Sequence, residues 1–252
     1  MTTRKNLIDK IKYGFLSVFL LISVLGQAQK CIDFENQTTP GNWKGNTGFG
    51  INSLSVINSP GTNSTKHLFF KDSSGSSVAI NDKDFAGNWL TKGKDPCLCF
   101  DYRVNWNSND PTTKRGPNFA IYKSTTPLNS VADYKNFVVN GNNSGLVAFF
   151  VPNSANPIIP KDIWNKYCLP LGESNITQLP SNNYGSWSIR QSDGLGNITI
   201  LSGATAIVAW NTLIVNVEGV ILSADYHSNP NEEISFDNFC WACVDEPNPT
   251  PC

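Results

Sequence analysis

Apolar and polar residues alternate along most of this chain with the two-residue period of a β-strand. The clearest run is 97–106, where Leu98, Phe100, Tyr102, Val104 and Trp106 share one face. Cys97, Cys99, Asp101 and Arg103 share the other, because successive strand side chains point to opposite sides. The same pattern predicts strands over 51–59, 66–72, 77–81, 118–123, 145–151, 166–171, 185–191, 217–226 and 233–241. Stretches rich in Gly, Asn, Ser and Pro separate them, as at 58–65, 105–117 and 140–145, and these residues suit turns. Only 204–213 reads as a helix. About eight to eleven short strands with no helical repeat predict an all-β fold, a two-sheet antiparallel jelly-roll β-sandwich.

The pattern breaks at both ends. Arg4, Lys5, Lys10 and Lys12 precede an uncharged apolar run over 15–26, and Gly26-Gln27-Ala28 then offers small residues to a signal peptidase. Residues 1–28 are therefore expected to be a cleaved signal peptide, since a membrane anchor needs ~20 apolar residues. The sandwich is expected over 29–243. Pro247, Pro249 and Pro251 mark 244–252 as an extended tail or linker, after which further domains are expected to follow Cys252.

Composition narrows the class. Loss of the leader removes four basic residues and Asp9, leaving 15 basic against 19 acidic side chains and a formal charge of −4. This balance speaks against nucleic acid as a partner, and no later segment is apolar enough to span a membrane. Seven cysteines fit an oxidising, extracellular or cell-surface location. Their odd number leaves at least one thiol without an intrachain partner, with Cys252 the natural candidate. Cys97 and Cys99 share the polar face of their strand and Cys168 lies on the polar face of its own, so a bridge from Cys168 to one of them is expected. Cys31 with Cys240 or Cys243 would tie the chain ends together. Cys240-Trp241-Ala242-Cys243 has the spacing of redox motifs, but it ends a strand and opens no helix that would activate a thiol.

Two acid-bearing strands bracket the folded part. In Cys31-Ile32-Asp33-Phe34-Glu35, Asp33 and Glu35 point away from Ile32 and Phe34; in the closing strand Asp237 falls between Phe236 and Asn238. Such acids are either solvated edge residues or, if the first and last strands meet, ligands of a shared Ca2+. The Asp33-Phe34-Glu35 opening followed by Trp43 resembles the start of jelly-roll carbohydrate-binding modules, and Phe236-Asp237-Asn238-Phe239 is similar to their last strand. The C-terminal half, with Trp164-Asn165-Lys166-Tyr167-Cys168-Leu169-Pro170-Leu171, Trp187 and a closing Asp-Asn strand, resembles the laminin-B (laminin type IV) sandwich. The first resemblance implies a structural calcium on Glu35 and Asp237, with Asp33 and Asp72 as further ligands.

Sugar sites use exposed aromatic rings as platforms for pyranose faces. Most of the seven Trp belong in the core. The platform candidates are those in loop-like surroundings: Trp43, Trp89, Tyr184 and Trp187. No GxSxG elbow, HExxH helix or ExDxxE acid pair occurs, so no catalytic residue is named. The expected function is a secreted, non-catalytic module that binds a polysaccharide or glycoconjugate. An adhesive or structural spacer of a cell-surface protein is the second reading, and a glycan-active hydrolase or lyase of sandwich fold the third.

Overall fold

A computed structural model describes residues 31–45, 53–58, 66–72, 78–92, 96–107, 117–153, 163–172, 178–223 and 232–243. The chain divides into two compact units, Met1–Lys30 and Cys31–Cys252, and every described residue belongs to the second. Two antiparallel sheets stack as a β-sandwich. Sheet one runs β3 (Ser53–Asn58), β4 (Lys66–Asp72), β14 (Glu232–Cys243), β6 (Pro96–Asn107), β9 (Asn165–Pro170), with β1 (Cys31–Ile32) also paired to β14. Sheet two runs β10 (Ser181–Asn182), β11 (Gly185–Asp193), β8 (Ser144–Pro152), β7 (Asn118–Ser124), β13 (Gly219–Ser223), β5 (Val78–Asn81), β2 (Lys44–Gly45), with β12 (Ile198–Ile200) on β11.

The predicted alternation sets the core. Leu68, Phe70, Phe100, Tyr102, Ile234 and Phe236 face inward from sheet one and meet Phe119, Ile121, Phe150, Ile189, Val220 and Leu222 from sheet two. Phe100 stacks on Phe119 across the two sheets at 5.5 Å and 15°. Burial of each such ring removes enough apolar surface from water to contribute about 1.5–3 kcal/mol. The predicted helix forms as Gly203–Ile214; Ala206, Trp210, Leu213 and Ile214 bury its inner stripe at helical spacing. Trp210 packs on Trp187 with ring centroids 5.1 Å apart. Among the described residues no helix is long and apolar enough to cross a membrane.

The chain ends pair, with Cys31 opposite Cys240 and Ile32 opposite Phe239. Disulfides join Cys31 to Cys240 and Cys99 to Cys168. Cys97 lies buried beside them, its Sγ 3.7 Å from that of Cys99; the side chain of Cys243 and all of Cys252 lie outside the described residues.

Strict alternation fails at one place in β14. Asp237 sits opposite Asp101 and Cys240 opposite Cys99, so this strand carries one extra residue, a β-bulge. Asn238 takes φ 51° there, a left-handed conformation that asparagine accepts more readily than most residues. The bulge lets Phe236 and Phe239, three residues apart, both face the core with no exposure. A second register shift near Glu233 interrupts the face on which Trp106 was expected to continue the core; the Trp106 side chain lies outside the described residues.

Candidate functional site

The paired ends and the bulge bring acids together. Asp237 projects from the outer face of sheet one beside Asp101, its cross-strand partner. It is 5 % exposed. Burial pushes its carboxyl up to about 7; the Asn238 backbone N–H opposes this, while the charges of Asp101, Glu35 and Asp33 add to it. Asn238 donates its backbone N–H to Asp237 Oδ1 at 2.8 Å and its Nδ2 to Asp101 Oδ2 at 2.8 Å, so the bulge residue holds both carboxylates. Glu35 Oε2 accepts the backbone N–H of Lys66 at 3.3 Å, and the Lys66 ammonium goes to the Gln37 carbonyl at 2.9 Å. The ion pairs among the described residues, Lys44–Asp82 and Lys71–Glu233, lie elsewhere.

The charge at this point suits a cation, but the spacing is looser than a finished coordination shell. Among the described residues no three His, Cys, Asp or Glu side chains gather closely enough to hold a metal as they stand. Asp72 does not belong to the group. The ladder pairs it with Glu232, five residues from Asp237, or roughly 17 Å along the strand; its side chain lies outside the described residues. Asp101 takes its place, and its position on the polar face of the 97–106 strand was the available signal.

Three of the four expected platforms are core residues. Trp43 is 5 % exposed and packs on Phe85 and Phe239. Trp89 is fully buried, with its indole N–H on the Phe85 carbonyl at 2.6 Å and its ring edge-on to Trp241. Trp187 is 5 % exposed and donates to the Pro170 carbonyl at 2.7 Å. Their neighbours Gly41, Asn88 and Ser186 are turn-like or polar, but a large ring gains more from the core than adjacent polar residues can offset. A buried ring cannot stack on a sugar. Tyr184 is half-buried against Tyr167 at 5.5 Å; burial, and then Tyr184 itself, push the Tyr167 phenol up to about 12. Trp187→Phe should keep the packing but strand the Pro170 carbonyl. A loss of about 1–3 kcal/mol in denaturant unfolding is expected.

Partly exposed aromatic rings also lie on the outer face of sheet two. In β8 the run Leu146-Val147-Ala148-Phe149-Phe150-Val151 is apolar on both faces, the pattern of a strand covered on both sides. The cover comes from a helical turn, Val131–Tyr134, which continues as a π-turn over Lys135–Val139. Phe137 and Val138 are buried, and Phe137 sits on Tyr122 of β7. This cover stops short of the ends of β7, β8 and β13 and leaves a cleft of about 390 Å³. Ala120 and Ile221 face one another across β7 and β13. They line the cleft together with Tyr134, Phe149, Arg190 and Asn118. Phe149 and Tyr134 are half-buried. The guanidinium of Arg190 lies over the Phe149 ring at 4.8 Å, a cation–π contact. An apolar floor, two aromatic rings and a small set of polar groups are the ingredients of a small-ligand site.

The fold has known likenesses. The family 30 carbohydrate-binding module of a cellulosomal cellulase of Clostridium thermocellum is similar at TM-score 0.45 and 10 % identity, covering 87 % of this chain and 99 % of that one. The L4b domain of human laminin alpha-2 is similar at TM-score 0.43 and 8 % identity, covering 88 % and 100 %. An exo-beta-agarase is similar at TM-score 0.47 and 13 % identity over 89 % of this chain. This chain spans about a quarter of the length of that agarase and of a second one, 25 % and 26 %. No protein-family model and no curated protein matches the chain.

Sequence reasoning searched the loops for platforms and overlooked this sheet face. Two signals marked it: the adjacent pair Phe149-Phe150, one of which must point outward from a strand, and the spacing of Val131, Tyr134, Phe137 and Val138, which is that of a short covering helix.

Proposed function

We propose that this protein is a secreted, non-catalytic glycan-binding module of jelly-roll topology. Its sugar lies in the cleft between Tyr134 and Phe149, with Arg190 at its wall. The observation that carries the reading is the pair of half-exposed rings over an apolar floor, on a face that polar residues would otherwise occupy. A pyranose ring stacked on Phe149 buries its C–H face there, while its hydroxyls reach polar groups at the rim. Two disulfides support an extracellular location.

Calorimetric titration against a panel of soluble polysaccharides tests the reading. Phe149→Ala should weaken binding about tenfold, from loss of a stacking contact worth about 0.5–1.5 kcal/mol and the apolar area beneath it. An equal affinity for wild type and variant would move the site elsewhere. Failure of every polysaccharide to bind would leave the protein as an adhesive or structural spacer.

The same reading includes a structural calcium at the meeting of first and last strands, with Asp237, Glu35, Asp33 and Asp101 as its carboxylates. Its support is a buried carboxylate among three others, none of them in an ion pair among the described residues. Calcium accepts six to eight oxygens in flexible geometry, and it would draw in side chains that repel one another without it. It lies on sheet one, whereas the cleft is on sheet two, so the ion would hold the fold together and take no part in sugar contact.

A further inference from the structure

Among the described residues that line the cleft, Arg190 is the one charged side chain. It stands on β11, opposite Val147 of β8 on one side and Ile200 of β12 on the other, so aliphatic neighbours flank it in the ladder. Its guanidinium carbon lies over the Phe149 ring, 4.8 Å from the centroid, and its Nε is buried with no hydrogen-bond partner. Neither ion pair among the described residues involves it. An arginine in such a place is normally matched by an acid, because a half-buried guanidinium without an acceptor loses hydration and regains nothing. Among the described residues no acid lines the site.

We infer that the cleft selects saccharides that carry a negative charge, and that a carboxylate or sulfate group of the glycan pairs with Arg190. This rests on the glycan reading above and names the class of sugar. The planar fork of arginine presents parallel N–H donors that match the two oxygens of a carboxylate or sulfate, and the contact with Phe149 holds the guanidinium at the cleft. A neutral hydroxyl can accept one such bond but leaves the charge uncompensated. The rest of the protein works against anions, since the chain without its leader carries a formal charge of −4. Preference for an anionic polymer therefore has to come from a local contact and not from the overall field.

Matched polymers test this with the intact protein. Polygalacturonate is compared with its fully methyl-esterified form, and a sulfated galactan with the same galactan after desulfation, by calorimetry and affinity electrophoresis. At least one charged member should bind ten times or more tightly than its neutral counterpart. Which pair shows the preference identifies carboxylate or sulfate as the group. The preference should shrink as salt rises and disappear in Arg190→Gln, whose affinities for the charged and neutral members of a pair should be equal. If Arg190→Gln melts lower than wild type, Arg190→Lys serves instead; it keeps the charge without the fork and should retain only part of the preference. Equal affinity of wild type for charged and neutral members overturns the inference and leaves the glycan reading standing. So does a preference that survives in Arg190→Gln. No binding by any polymer overturns both.

Discussion

Replacing Cys31 and Cys240 together by serine is expected to lower the unfolding free energy by about 5 kcal/mol. The two residues are 209 apart in sequence, so their bond closes nearly the whole folded chain. Cross-linking a loop of that size removes a large part of the freedom of the unfolded state. The Cys99–Cys168 bond spans 69 residues and is expected to contribute about 4 kcal/mol by the same reasoning. Because the shorter loop lies inside the longer one, each bond shortens the effective loop of the other, and the two losses should not add. β1 is two residues long and among the described residues pairs only with β14, while Phe34, fully buried, anchors the segment that follows it in the core. Urea unfolding without reductant measures both values. A loss below about 1 kcal/mol for the Cys31–Cys240 pair would show that the unfolded chain gains no freedom from its removal.

The second large effect should come from Asp237. Its carboxyl titrates near 7 in the fold against an ordinary 3.8. Between those values the folded protein binds more protons than the unfolded one, so without metal its stability falls as pH rises from about 4 through 7. Each unit of that shift corresponds to about 1.4 kcal/mol, which places the cost at pH 8 at a few kcal/mol. The charged groups that act on the carboxyl are Asp101, Glu35 and Asp33; among the described residues no arginine or lysine forms an ion pair with it. Calcium binds the ionised form and releases the proton, so it should restore at pH 8 most of what ionisation removes. Melting with chelator is expected to be higher at pH 5 than at pH 8, and calcium should close the gap at pH 8. Asp237→Asn, which mimics the protonated acid, should flatten the pH dependence and abolish the calcium response together. A melting temperature at pH 8 that ignores both calcium and chelator would remove the metal from the account.

Much of the fold could be read because one rule, alternation, governs most of it. The strand over Pro96–Asn107 and the helix over Gly203–Ile214 follow from side-chain period, and the cysteines near the two chain ends signalled that those ends meet. Alternation could not reveal the bulge at Asn238. One inserted residue moves Phe239 onto the face of Phe236 and sets the Asp237 and Asp101 carboxyls under a shared asparagine. Nor could local composition place Trp43 and Trp89. Glycine and asparagine beside them mark a bend in the backbone, whereas the side chain that follows a bend points wherever the core lies. The cleft was hidden for a third reason: it needs Tyr134 from one segment and Phe149 and Arg190 from two strands, brought together only by sheet order. Its parts were visible, but their meeting was not.

The disulfide between the chain ends also has a mechanical meaning. Tension applied across Cys31 and Cys240 passes through one covalent link and does not load the strands between them. Sheet two, whose strands all lie between those two residues in sequence, would keep its shape under such a pull.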